Sequence, residues 1–224
     1  AKIMEAACND LGMKYHFETA PDPTSDVGVA GAQQFILEKV PHWIEKYGPM
    51  AAFFCTNDAH TEPLLKRIAE GKGGYFIEAD MPSPLMGYPG ALGVELSDVA
   101  GDFPAILKRV EDAVIKAGGS GRMGTWAYSY GFTNTLALGE YAKSCIEKDV
   151  SPKNFRRHFK REDLLAAYNG ATPGAKWNGT VYMDANTGLE LKNNILVYQD
   201  TYIFGKGYLN MTGEVIPEKY LDMK

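Results

Sequence analysis

The feature that most narrows what this chain can fold into is its order of helix, strand, helix, strand, helix, strand over the first eighty residues. Ile3, Met4, Ala7, Cys8 and Leu11 recur at helical spacing, and Gly12 follows as the stop. Tyr15 to Thr19 alternates like a strand and runs into the turn chemistry of Ala20-Pro-Asp-Pro-Thr-Ser25. A second helix is expected over 30–46, bent or split by Pro41. Apolar strands over 51–56 and 74–79 then flank a helix over 61–70. Nearly continuous apolar strands separated by helices are what a parallel sheet covered on both faces requires, so the expected class is α/β with such a sheet. In a right-handed crossover the helix packs after the strand that feeds it, so the opening helix is expected to follow a strand lying before residue 1.

The strand over 51–56 delivers Asn57, Asp58 and His60 to its carboxyl end, and the next strand ends on Asp80. In open α/β sheets ligands sit outside such ends. Asp58 is either a ligand contact or the N-cap of the following helix, with Asn57 as the alternative cap. His60 either meets a ligand or faces water in the first helical turn, and Asp80 either faces a cleft or starts the next turn. That turn, Met81 to Gly90, holds three prolines and two glycines and reads as a stiff, surface-reaching loop carrying Ser83 and Tyr88. A short strand is expected over 91–96, and Asp102 is placed to cap a helix over 103–115. Of Trp126, Tyr128 and Tyr130, alternation puts two on one side of a strand, which suits a stacking platform or core packing. Ser83 and Ser129 lack a nucleophile-elbow setting. Gly118 to Arg122 lacks the Gly-Lys-Ser/Thr ending of a phosphate loop, follows a helix, and reads as a hinge-side linker.

The last third changes character. A helix is expected over 133–147, one or two short helices over 154–168, and antiparallel strands over 180–184 and 191–204 around a turn at Ala185 to Gly188. A hydrophobic share of 45% and a charged share of 23% fit a globular protein rather than a disordered one. The net charge of −5 offers no electrostatic footprint for nucleic acid, and the basic run at 153–161 reads as a solvated face. No stretch approaches the roughly 18 apolar residues of a membrane span. Cys8, Cys55 and Cys145 are an odd number without metal-ligand spacing and read as small buried hydrophobes, so no disulfide framework, metal site or cofactor is expected.

An apolar strand ending in Asn57-Asp58, a helix, and a strand ending in Asp80 together resemble the carboxy-terminal lobe of type I periplasmic binding proteins and the effector domains of related sugar repressors. Four blocks in order, Ala20 to Asp26, Phe53 to Asp58, Pro82 to Gly90 and Thr201 to Gly207, are similar to a group of bacterial lipoproteins of unknown function within that superfamily. The resemblance implies a two-lobed fold crossed three times by the chain, closing by hinge motion on a small polar molecule. Residues 1–120 would form one lobe, and 121–224 a hinge crossing with segments returning to the other. It implies cleft-facing contacts from Asp58 and Asp80, with Tyr88, Trp126 and Tyr128 as stacking candidates; Asn57, His60 and Ser83 complete the expected ligand-binding set. It also implies a non-catalytic solute-binding or sensor role outside the cytoplasm, as a periplasmic or anchored lipoprotein read by a transporter or sensor, with a cytoplasmic place left open. Relatives commonly have a short Gly-rich turn after the third strand, where this chain has the longer Pro82-Ser83-Pro84 loop. The competing expectations are a small-molecule enzyme using Asp58, His60 and Asp80, and the effector domain of a transcriptional regulator.

Overall fold

A computed structural model describes residues 1–71, 73–184 and 187–221. Two strands, β1 (Ala52–Phe54) and β2 (Tyr75–Glu78), pair in parallel, with Phe53 opposite Phe76. Beyond β2 lies β3 (Gly124–Trp126), joined through one parallel bridge between Phe76 and Met123. From there the pairing reverses: β6 (Thr201–Ile203) runs antiparallel to β3, and β7 (Gly207–Tyr208) antiparallel to β6. The sheet is therefore parallel on one side only. Helices α2 (Gly28–Tyr47), α3 (Thr61–Gly71) and α5 (Phe103–Lys116) flank it and close a core containing Val40, Leu65, Ile68, Phe76, Val110 and Phe204.

The sequence of α5 explains both its start and its face. Asp102 Oδ1 accepts from the Ala105 N–H at 3.0 Å, Pro104 sits in the first turn, and Phe103, Ile106, Val110 and Val114 recur at the spacing that buries one stripe. In α2, Pro41 neither splits nor ends the helix. A proline cannot donate to the carbonyl four residues back, which here is Leu37. Arg67 of α3 replaces the missing donor, its Nε–H reaching Leu37 O at 2.8 Å. The interruption in one helix is thus repaired by the helix packed against it.

Three expected strands are corrected. Residues 15–19 form no strand: no neighbour offers a ladder, and the segment instead lies over the end of α2, with His16 stacked on Tyr47 at 4.0 Å and Glu18 accepting from the Tyr47 hydroxyl. Residues 91–96 also form no strand. The five-residue helix α4 (Tyr88–Leu92) occupies that region, started by Pro89 in its first turn and stopped by Gly93 at φ +64°. Residues 191–204 are not one strand but two in different sheets, broken at Asp200. Its carboxylate accepts from the N–H groups of Asn210 and Met211 at 2.7 and 3.0 Å, which turns the chain from one sheet to the other.

The second unit holds α6 (Tyr130–Glu147), α7 (Phe155–His158), α8 (Arg161–Ala171), β4 (Trp177–Met183) and β5 (Glu190–Gln199). The two strands form an antiparallel hairpin in register from Trp177 opposite Gln199. Of the turn expected at 185–188, Ala185 and Asn186 lie outside the described residues. A small core of Ala137, Leu164, Tyr168, Trp177 and Val197 joins the hairpin to α6 and α8. The opening helix α1 (Lys2–Asp10) buries none of its residues and meets α9 (Glu218–Leu221) through Asp10, paired with Lys219 at 2.5 Å. Cys55 is buried, whereas Cys8 and Cys145 are only partly so, and all three are free thiols.

Candidate functional site

Because β1 and β2 are parallel and β3 joins β2 in the same sense, the carboxyl ends of all three open on one rim. The chain leaves β1 through Asn57, whose extended backbone and side-chain oxygen cap a single 3-10 turn, Asp58–His60, by accepting from the Ala59 N–H at 3.0 Å. Asn57 is therefore the cap, and Asp58 is released from that duty. One carboxylate oxygen of Asp58 accepts from the Met81 N–H at 3.3 Å, tying the loop after β1 to the loop after β2. Asp80 stands exposed at the end of β2.

Other predicted contacts are drawn away from the rim. His60 is 8% exposed and its Nε2–H donates to Pro21 O at 3.1 Å, so it pins the 20–25 loop rather than facing water. Beside it, hydrogen bonds from the Thr24 backbone and hydroxyl hold the Asp22 carboxyl below its ordinary pKa, and the His60 ring adds a smaller effect. Pro82, Ser83 and Pro84 are buried, so this part of the loop packs inward rather than reaching to the surface; Ser83 Oγ accepts from the Leu85 N–H at 3.0 Å. Tyr88 is 1% exposed, in edge contact with Phe76 and Phe204, and its hydroxyl donates to Gly124 O at 2.7 Å. A ring so enclosed offers no face to a solute. Gly87 lies so close to the start of α3 that an added Cβ would come within 2.8 Å of the Glu62 nitrogen, which fixes where this loop rests.

Trp126 and Tyr128 part company where β3 ends. Trp126 turns toward the second unit, with its ring 5.7 Å from Trp177 and 6.2 Å from Tyr130. Tyr128 bridges the two, with its ring 5.7 Å from Phe103 of the first and its hydroxyl donating to Pro173 O of the second at 2.9 Å. Between the units a depression of about 510 Å³ is lined by Phe103, Pro104, Tyr128, Phe132, Leu136 and Pro173, among others.

Chain passes between the units at 127–129 and, beside it, at 199–201, and the segment after β7 returns to the second unit where Lys176 and Asn178 donate to Asn210 Oδ1 and Thr212 O at 2.8 and 2.6 Å. Gln199 fastens the first two passages together: its Oε1 accepts from the Ala127 and Tyr128 N–H groups at 2.7 and 3.2 Å. The junction accordingly lies after β3, not at the glycines of 118–124, which pack within the first unit. Close by, Glu78 Oε1 accepts from the Thr201 hydroxyl at 2.6 Å. Burial pushes the Glu78 carboxyl above its ordinary pKa, Thr201 lowers it, and the nearby Asp200 charge raises it further. Sequence reading missed Phe103, Phe132 and Gln199 as junction residues. The first was findable, because a helix that precedes a parallel strand begins on the rim where the strands end. Gln199-Asp200 was legible only as a polar pair interrupting an apolar run.

Among the described residues no group of three or more His, Cys, Asp or Glu is placed to hold a metal ion, and no helix is long and apolar enough to cross a membrane. The family described as protein of unknown function (DUF3798) matches residues 1–124, and a second family matches residues 135–223. An uncharacterised protein of Treponema pallidum (strain Nichols) is 35% identical over 121 residues, which is 54% of this chain and 53% of that protein. A second uncharacterised protein of the same organism is 34% identical over 86 residues, 38% of this chain and 91% of its own length. A crystal structure from Clostridium difficile 630, described as a candidate transcriptional regulator, shares the fold with a TM-score of 0.75 at 19% identity. It aligns with 91% of this chain and 55% of its own. The chain thus spans about half the length of the first Treponema relative and of the solved neighbour.

Proposed function

We propose that this chain, which belongs to the DUF3798 family of proteins of unknown function, is a non-catalytic module that closes on a small polar solute between its two units. The observation that carries this reading is the single rim where the loops after β1, β2 and β3 open, with the Asp58 and Asp80 carboxylates on it and the loop after β3 leading into the second unit. Carboxylates there accept hydrogen bonds from solute hydroxyls or amines, and a few placed polar groups are enough to orient a small molecule.

A type I periplasmic-binding-protein arrangement belongs to the same proposal, with the sheet of β1, β2, β3, β6 and β7 and its helices as one lobe and α6 to β5 as segments of another. Hinge closure would act at the two passages fastened by Gln199, and the solute would bias it through contacts made to both units. A place outside the cytoplasm, as a periplasmic or lipid-anchored protein read by a transporter or sensor, is also part of it. The acid–base alternative has less support, because the His60 ring is engaged with Pro21 O and buried away from Asp80, which is exposed. The fold shared with the Clostridium protein favours a second reading, a regulator's effector domain, which would use the same cleft with a different output.

Differential scanning fluorimetry against sugars, amino acids, nucleosides and amines tests the binding reading. At least one class should raise the melting temperature of the wild type. Asp58→Ala, which gives up one 3.3 Å hydrogen bond, should fold and lose that rise. An unchanged rise in the variant would remove Asp58 from the site, and no rise with any class would count against solute binding itself.

A further inference from the structure

We infer that the depression between the units is a subsite for an organic cation, a flat or branched apolar group carrying an ammonium; this rests on the cleft reading and names the chemistry of one end of the solute. The walls are three rings from three segments: Phe103 in the first turn of α5, Tyr128 just past β3 and Phe132 in the first turn of α6. Phe103 lies 5.7 Å from Tyr128 and 4.8 Å from Phe132, tilted by 32° and 40°. Phe103 and Tyr128, 4% and 5% exposed, back the depression and fix its shape, while Phe132 at 36% is the ring that presents a face to incoming solute. The volume of about 510 Å³ falls inside the range of roughly 300–1,000 Å³ in which small-molecule sites occur.

Charge selects the occupant. Neither lysine nor arginine lines the depression, and its one carboxylate is Asp102. One Asp102 oxygen caps α5; among the described residues the other accepts no hydrogen bond, and the side chain is exposed to solvent. The field of that carboxylate reaches the pocket: burial pushes the Tyr128 phenol above its ordinary pKa, and the Asp102 charge pushes it further. The positive end of α5 opposes part of this charge, but Pro104 removes one of the N–H groups that would make it up. The open Phe132 face beside the exposed Asp102 carboxylate attracts an ammonium through the ring quadrupole and through a charge that solvent partly screens. An anion meets repulsion at the same place, and a neutral sugar gains stacking alone.

The test uses the 224-residue chain and two probes of similar shape, phenethylamine and phenylacetate, with affinities read by titration calorimetry. Phenethylamine should bind at least about tenfold more tightly, the ratio that a difference of about 1.4 kcal/mol produces. Asparagine caps a helix as well as aspartate, so Asp102→Asn should melt with the wild type while phenethylamine weakens by about tenfold and the preference collapses. Phe132→Ala should weaken both probes. Equal affinity for cation and anion, no phenethylamine binding, or binding untouched by Asp102→Asn would overturn the subsite. A solute whose binding fails in Asp58→Ala but persists in Asp102→Asn would overturn this inference and leave the cleft reading standing.

Discussion

The first unit closes its core and the second does not. Among the described residues, fourteen buried ones from Ile36 to Phe204 fill the space between sheet and helices in the first, whereas five hold the second together. On α6 only Thr133 and Ala137 of eighteen residues are buried. Between α6, α8 and β5 an open groove of about 800 Å³ is lined by apolar and aromatic side chains, including Leu138, Tyr141, Ile146, Phe155 and Phe159. Folding free energy therefore resides in the first unit, and the second depends on its attachment through the junction. A two-stranded hairpin is marginal by itself, which makes that dependence physical rather than formal.

Substitution in the two regions should separate them sharply. Leu65 is fully buried, and Leu65→Ala should lower the stability of the first unit by about 3–4 kcal/mol through lost transfer energy and a cavity. Leu138 and Ile146 are 49% and 77% exposed, and replacing either with serine should cost less than about 0.5 kcal/mol. Urea midpoints of the three variants decide it; equal losses would mean that the groove is as well packed as the core.

Gln199→Ala acts between the regions. It leaves two buried N–H groups without an acceptor, for a cost of about 2–4 kcal/mol. It should also split a single unfolding transition into two, with the second unit melting first by hydrogen exchange. A single, equally cooperative transition would show that Gln199 does not couple the units.

Arg67→Met removes the donor that repairs the proline gap in α2 while keeping much of the apolar stem. About 1.5 kcal/mol should be lost, and exchange should quicken around 37–41 before anywhere in the second unit. Uniform exchange would remove Arg67 from that role.

Glu78 offers a pH-dependent comparison. Its folded pKa is raised, so the folded state binds the proton more tightly and stability falls as pH climbs from the unfolded carboxyl value through the folded one. Ionised Glu78 thus weakens the protein at neutral pH. Glu78→Gln should raise the melting temperature at pH 7, and the gain should vanish below pH of about 4. A gain independent of pH would point to packing rather than charge.

How much of this was legible depends on what each residue needed from elsewhere. The alternation that predicted β1, α3 and β2 required only local pattern, and the Asp102 cap was visible because its partner lies three residues away. Tyr15 to Thr19 had the pattern of a strand but no partner to pair with, and pairing is not written locally. Asn57 and Asp58 were correctly placed at a strand end, yet the choice of cap rested on backbone geometry. Tyr88 shows the same limit: nothing near it in sequence says that Gly124 and Phe204 enclose it. Rim positions follow from order along the chain, whereas burial depends on contacts from remote segments.

The central claim is that a small solute binds on the rim and bridges the two regions. Hydrogen exchange with phenethylamine, at the junction subsite assigned above, measures it most directly. The account predicts slowed exchange on both walls together, at 100–106 around the start of α5 and at 128–136 at the start of the second unit, with both losing protection in Asp102→Asn. Protection confined to one unit, or concentrated in the α6–β5 groove, would contradict it.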